Sequence, residues 1–308
     1  MGGTFPVVAP EAAPPRQRAV IAVASNKGGV GKTTVTANLA IYLRALHEEL
    51  PVAVVGLDDQ SILDRMFRLG PEGAPPLTLK HGWAEHSLDR VLRLGQFGIH
   101  WVPPPRDTEP LKARAEDPRT LQRILAHTHF SGLVLIDTKG DLEALTRNAL
   151  VAADLVIIPV ADRASLEEAG KVFDGIERLS PASSKGRVLF TLVDRRTRVD
   201  AQGRDLHDRL VAEAEERGWP RFVTYLSRSP RVEALNSAGG RPGSVLHQAR
   251  GTAVHRQLRE LAEEVGKLLD LGATPRRPAP PAERAEPHGR SVSLKGFLLR
   301  GLSGGRRS

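Results

Sequence analysis

Asn26-Lys27-Gly28-Gly29-Val30-Gly31-Lys32-Thr33-Thr34 follows directly on the apolar run Ala19 to Ala24 and opens a helix-period segment, Thr33 to His47. A phosphate loop needs this setting. Glycines let backbone N–H groups turn inward around phosphate oxygens, and the start of the helix adds positive potential. In this reading Lys32 meets the β- and γ-phosphates of a bound nucleotide, and the Thr33 hydroxyl is a ligand for Mg²⁺. A chance glycine-rich turn would have no reason to sit between a strand and a helix. One departure from the general pattern stands out: Asn26, rather than glycine, lies five residues before Gly31, and Lys27 follows it.

Outward from the loop, strands and helices alternate. Apolar runs at 19–24, 51–57, 98–102, 133–136, 155–160, 188–193 and 222–226 read as buried strands. Helix-period segments lie between most of them, at 33–47, 118–127, 142–152, 165–179, 204–217 and 252–271. Strand followed by helix, repeated, predicts an α/β fold, a doubly wound and mostly parallel sheet with helices on both faces. The expected organisation is an arm over 1–18, a phosphate-loop domain over 19–271, a Pro/Arg-rich linker over 272–290 with five prolines, and a basic amphipathic tail over 291–308.

Composition narrows the function classes. The chain has no cysteine, which excludes disulfides, thiolate metal sites and iron–sulfur clusters. Its ten histidines show no zinc-ligand spacing. Neither an apolar signal core at the start nor a run long enough to span a bilayer is present, so a cytoplasmic protein is expected. The net charge of +8 is uneven: residues 272–308 hold eight Lys/Arg against two Glu, and residues 181–260 hold fifteen against nine acidic residues. This asymmetry fits a polyanionic partner of the C-terminal half, and equally an Arg-rich set of solvated helices.

Lys27 through Thr34 resembles the deviant Walker A box of the ParA/MinD ATPases, and the resemblance extends over most of 19–271. It implies a phosphate-loop ATPase that binds ATP and Mg²⁺ through Lys27, Gly28, Gly29, Val30, Gly31, Lys32, Thr33 and Thr34. It further implies that Lys27 reaches across an ATP-dependent homodimer to the partner's phosphates. A solvated loop lysine is the alternative. Val55-Gly56-Leu57-Asp58-Asp59-Gln60 is similar to the family's Asp-x-Asp-Pro-Gln segment, with Gln60 fixing the register. Asp58 then takes the place of the aspartate that positions the attacking water, and Gly56 stands where the family has its first aspartate. Leu133 to Thr138 resembles the Walker B strand, which makes Asp137 a holder of Mg²⁺ through water. Lys139-Gly140 replaces the two prolines of many relatives.

The segments Thr191 to Thr197 and Arg228 to Arg231 are closest to the Soj partition branch, where the arginines matching Arg196 and Arg231 contact DNA without reading its sequence. Either residue alone could instead be a surface ion-pair partner. A nucleoid-associated protein with a ParB-like or other ATPase-stimulating partner is what this branch implies. The tail raises a different surface. Leu294, Phe297, Leu298 and Leu302 fall at helical spacing beside Lys295 and Arg300, similar to MinD's membrane-targeting tail, and such a helix would lie on an anionic membrane. A plain tail and a partner-binding peptide are the other readings. The functional expectation is an ATPase switch that partitions DNA or positions a cargo, against a membrane-associated spatial regulator or a hydrolysis-poor nucleotide sensor.

Overall fold

The computed structural model describes residues 19–58, 62–69, 77–105, 107–181, 184–194, 203–237 and 242–271. The arm, the linker and the tail lie outside this set. The strands are β1 (Ala19–Val23), β2 (Val52–Gly56), β3 (Arg93–Leu94), β4 (Ile99–Val102), β5 (Leu133–Asp137), β6 (Leu155–Val160) and β7 (Gly186–Phe190). The first helices are α1 (Lys32–Leu46), α2 (Ile62–Phe67), α3 (Leu79–Ala84), α4 (Glu109–Lys112), α5 (Thr120–His127) and α6 (Ala144–Ala152). They are followed by α7 (Arg163–Leu179), α8 (Leu206–Glu216), α9 (Pro230–Ser237), α10 (Val245–Gln248) and α11 (Ala253–Leu268).

The seven-stranded sheet runs in the order β3-β4-β2-β5-β1-β6-β7 and is parallel except where β3 meets β4. Its inner strands are apolar throughout because both faces are covered. Alternation splits them between two cores. Val20, Ala22, Val134 and Ile136 point into the layer closed by α5, α6 and α7, whereas Ile21, Val23, Leu133 and Leu135 point into the layer closed by α1 and α11. The second layer is pinned by polar contacts as well. Asn38 of α1 donates to the Thr34 carbonyl at 2.9 Å and accepts from the Val245 N–H at 2.9 Å, and the Tyr42 hydroxyl lies 2.6 Å from His255 Nδ1.

One expected strand is not a full strand. Residues 222–226 run beside β7, with the Phe222 and Leu226 N–H groups donating to the Val188 and Phe190 carbonyls at 2.9 Å, but the pairing amounts only to isolated bridges at the flanks, Val188 with Arg221 and Val193 with Ser227. Between the bridges the Val223 and Thr224 N–H groups donate to the Glu264 carboxylate on α11, at 2.9 and 3.2 Å. The side chain thus takes the Thr224 donor that would continue the ladder from Phe222. β7 itself ends early, and Leu192 beyond it adopts φ 54°. The short β3 and the helices α2, α3, α4, α9 and α10 are additions to the sequence-based plan, too short to show a period.

The entry to β5 depends on one glycine. Gly132 has φ +148°, and a methyl there would overlap the Pro51 carbonyl oxygen, which accepts the Leu133 N–H at 2.9 Å. Gly132→Ala should therefore cost about 2–3 kcal/mol, lowering the thermal midpoint by roughly 5–10 °C in calorimetry. An unchanged midpoint would show that the β2–β5 junction relaxes freely.

Candidate functional site

Three strands of the sheet's centre end together. Val23 of β1 and Gly56 of β2 both lie in register with Asp137 of β5, so the segments that follow these strands emerge at one place on the C-terminal edge. Open parallel sheets bind their ligands at this edge.

The first of these segments is the glycine-rich loop. Gly29 and Gly31 have φ of +76° and +91°, a region in which glycine alone is unstrained, and a Cβ on Gly28, Gly29 or Gly31 would meet nothing within 4 Å. The loop therefore offers bare backbone to a ligand. Its anchors are buried: Val30 is 1% exposed, and its carbonyl accepts the Thr191 hydroxyl at 2.8 Å. Lys32 is buried too, and its ammonium donates to the Lys27 carbonyl at 2.9 Å. Burial lowers the Lys32 pKa, against the pull of Asp137, Asp58 and Asp141.

Asp137 receives the hydroxyls of α1. Thr33 Oγ1 donates to Oδ2 at 2.7 Å and Thr36 Oγ1 to Oδ1 at 3.3 Å. Burial pushes the Asp137 pKa up to about 7; the Thr33 hydrogen bond opposes this and the nearby Asp58 charge adds to it. A carboxylate and a hydroxyl in contact at the start of a helix are hard oxygen donors of the kind Mg²⁺ takes. The buried carboxylate would also be relieved of its desolvation penalty by a cation. The donor set fits.

Asp58, 9% exposed, lines the same recess as Gly56 and Asp137. A Cβ on Gly56 would lie 3.1 Å from Leu63 Cδ1, so the family's first aspartate would need Leu63 to shift by a few tenths of an ångström. An aliphatic wall occupies that side. Gly140 has a comparable role on the other side: a Cβ there would lie 3.1 Å from the Gly28 nitrogen and 3.2 Å from Lys32 Nζ. The segment after β5 thus lies against the loop, and Thr138 ties it to β1 through a 2.9 Å bond to the Val23 carbonyl.

The two residues that depart from the general loop pattern are both held by α7. Lys27 Nζ donates to both Asp162 carboxylate oxygens at 2.9 Å, and Asn26 Nδ2 donates to Glu168 Oε2. Asp162 is also the N-cap of α7, accepting the Ser165 N–H at 2.8 Å. Sequence reasoning did not single out Asp162, Glu168 or Thr36; it named Gly140 only as part of an atypical segment after the strand and Thr191 only as the start of a branch-like segment. Asp162 with Ser165 is legible as a helix cap, but its pairing with a lysine 135 residues away is not.

The remaining expected residues are scattered. Arg231 is exposed on α9 and, among the described residues, has no ion pair, while Arg228 is paired with Glu233 at 3.0 Å. Arg196, Asp59, Gln60 and the tail residues Leu294, Phe297, Leu298 and Leu302 lie outside the described residues. No helix among the described residues is long and apolar enough to cross a membrane.

Fold and site together define a phosphate-loop nucleotide-binding protein. The family model of the CobQ/CobB/MinD/ParA nucleotide-binding domain matches residues 21–239, and the chain belongs to that family. It is similar to the chromosome-partitioning ATPase Soj of Thermus thermophilus, 30% identical over 253 residues that make up 80% of this chain and 94% of the relative. It is also similar to the chromosome partitioning protein ParA of Caulobacter vibrioides, at 29% over 199 residues, 59% of this chain and 73% of the relative. Among solved structures, the septum site-determining protein MinD of Pyrococcus horikoshii complexed with Mg-ADP matches with a TM-score of 0.64 at 22% identity, covering 84% of this chain and 100% of that one. The cobyrinic acid a,c-diamide synthase of Mycobacterium smegmatis with bound ATP analog and magnesium matches with a TM-score of 0.65 at 22% identity, covering 83% and 97%. At these identities the structures establish the shared fold, and the sequence-based resemblance to the ParA/MinD group agrees with the family match.

Because the folded-state pKa of Asp137 lies above the ordinary aspartate value, its ionisation disfavours the folded state. The penalty is absent below about pH 4, grows up to about pH 7 and is full above it. Asp137→Asn should therefore stabilise the nucleotide-free protein by about 1–3 kcal/mol at pH 8, with little gain near pH 4. Equal gains from urea titrations at the two pH values would show that the carboxylate is not desolvated as described.

Proposed function

We propose that the chain is an ATPase switch that dimerises with ATP, binds DNA without sequence preference as the dimer, and is reset when a partner stimulates hydrolysis, so partitioning DNA or positioning a cargo. The observation that carries this reading is the convergence of Lys32, Thr33, Asp58 and Asp137 beneath a loop whose additional lysine is held in reserve by α7. The names of the relatives, Soj and ParA among them, support the biological role.

In this reading the N–H groups of residues 28–33 and the Lys32 ammonium bind the phosphates, and Thr33 and Asp137 would hold Mg²⁺. When bound, Mg²⁺ would supply neutralisation of phosphate charge. Asp58 orients the attacking water and accepts its proton. Lys27 must leave Asp162 before it can act on a partner's nucleotide, and its arrival stabilises transition-state charge in a site that is incomplete without the second copy. Hydrolysis is thereby tied to dimerisation. The exposed Arg231 and, by resemblance, Arg196 supply phosphate contacts to DNA.

Gly56 favours a second reading, a nucleotide sensor that hydrolyses poorly, since glycine stands where the family has a carboxylate and Leu63 packs beside it. Single-turnover rates separate the two readings.

Light scattering should show a monomer-to-dimer shift with ATP and Mg²⁺ in the wild type. Lys27→Ala should reduce turnover by about two orders of magnitude or more, within the range of a charge delivered in trans. Asp58→Ala should retain ATP binding and lose most turnover. A dimer indifferent to nucleotide, or a Lys27→Ala protein with full turnover, would overturn the trans role. Arg196→Glu with Arg231→Glu should abolish ATP-dependent association with duplex DNA, whereas each single phosphate contact removed should flatten the slope of log affinity against log salt by about 0.9. DNA binding lost only when residues 272–308 are deleted would move that function to the tail.

A further inference from the structure

On the helical layer that carries α7, a second recess opens away from the phosphate loop. The start of α7 and one side of α8 leave a cleft of about 480 Å³, lined chiefly by Arg163, Arg204, Arg209 and Arg217 and by Glu213 and Glu216. That volume is in the range of small-ligand and peptide-side-chain sites. The phosphate-binding residues have no part in it, and neither has Arg231.

The arginines are not all committed to neighbours. Arg163 extends into solvent with 75% of its side chain exposed, and its ion pair with the exposed Glu167, at 3.5 Å, is a loose one. Arg209 makes no ion pair among the described residues. Arg217 is the fixed member. Its guanidinium lies 4.8 Å from the centroid of the Trp219 ring, Trp219 is stacked on Phe173 of α7 at 4.8 Å and 20°, and Glu213 pairs with it from the preceding turn. A stacked guanidinium keeps N–H donors at its edge for a further acceptor and loses little freedom in binding it.

We propose that this cleft is a docking site for an acidic segment of a partner protein, whose carboxylates pair with Arg163, Arg209 and Arg217. Planar guanidinium forks match carboxylates two bonds at a time. The mixed lining decides between polyanions. Glu213 and Glu216 would repel the unbroken charge of a nucleic-acid backbone, whereas a peptide can set separate carboxylates against the arginines and neutral or basic residues against the glutamates. The position gives such a partner leverage on the nucleotide site. Arg163 directly follows Asp162, the residue that holds Lys27, so a segment anchored on Arg163 bears on the turn that sets the loop lysine. Binding itself requires no nucleotide turnover.

Trp219 supplies a local reporter. Of the three tryptophans, Trp83 and Trp101 are 2% and 4% exposed, and Trp219 alone is partly exposed, beside the cleft. A short oligoglutamate peptide titrated into the full chain without nucleotide should change Trp219 emission saturably, and Trp219→Phe should abolish the signal. The basic tail can also attract the peptide, so the deciding comparison is between the wild type and the arginine variants, which share the tail. Arg163→Glu with Arg209→Glu should weaken binding by about tenfold or more, and the milder Arg163→Gln with Arg209→Gln by about threefold, while Arg231→Glu leaves it unchanged. Circular dichroism checks that both double variants are folded. No saturable change in the wild type, a change that both double variants retain in full, or a change produced by short duplex DNA and not by oligoglutamate would each overturn the assignment.

Discussion

A carboxylate buried at the end of the central strand governs this structure. Asp137 is removed from water by the same packing that makes β5 the middle of the sheet, and an ionised group there needs donors or a cation nearby. Thr33 and Thr36 meet it from the first turns of α1, which fixes the helix against β5 and so fixes the direction in which the glycine-rich loop enters that helix. Loop, helix and strand form one unit because one charge must be satisfied. The elevated pKa of Asp137 is the residue of that requirement left unmet by hydroxyls alone.

A second constraint acts from the opposite side of the loop. Lys27 and Asn26 are held by the N-cap Asp162 and by Glu168 of α7, so this helix grips the loop's first residues while α1 grips its last. The loop is suspended between two helices on opposite faces of the sheet. Any change that frees Lys27 is transmitted to the capped turn of α7, because Asp162 serves both contacts. The charged cleft between α7 and α8 adjoins that turn, so the described residues place a charged recess next to the residue that restrains the lysine.

Elsewhere the architecture follows from covering the sheet. Strand residues alternate between two cores, and α11 closes one of them while its Glu264 captures two backbone donors of the segment beside β7. That edge therefore carries bridges in place of an eighth strand. The apolar run 222–226 satisfies the pattern of a strand, and Phe222 and Leu226 are buried as one would be, but hydrogen-bonding partners are chosen by whatever element packs alongside.

The sequence by itself determined the fold class and the phosphate loop. Uninterrupted apolar strands imply burial on both faces, and glycines with Lys32 and Thr33 at the start of a helix imply a phosphate site, since both inferences rest on local spacing and backbone freedom. Asp137 was singled out through the resemblance of Leu133 to Thr138 to a Walker B strand, since a strand-end aspartate by itself reads equally as a helix cap. Only the packing of distant segments decided that Asp162 and Glu168 hold Lys27 and Asn26, that Gly140 lies against the loop, that Leu63 packs beside Gly56, and that arginines from two helices line one cleft. These pairings join residues distant along the chain. Their geometry is set by how strands order themselves in the sheet and how helices pack across it, which no local pattern of residues encodes.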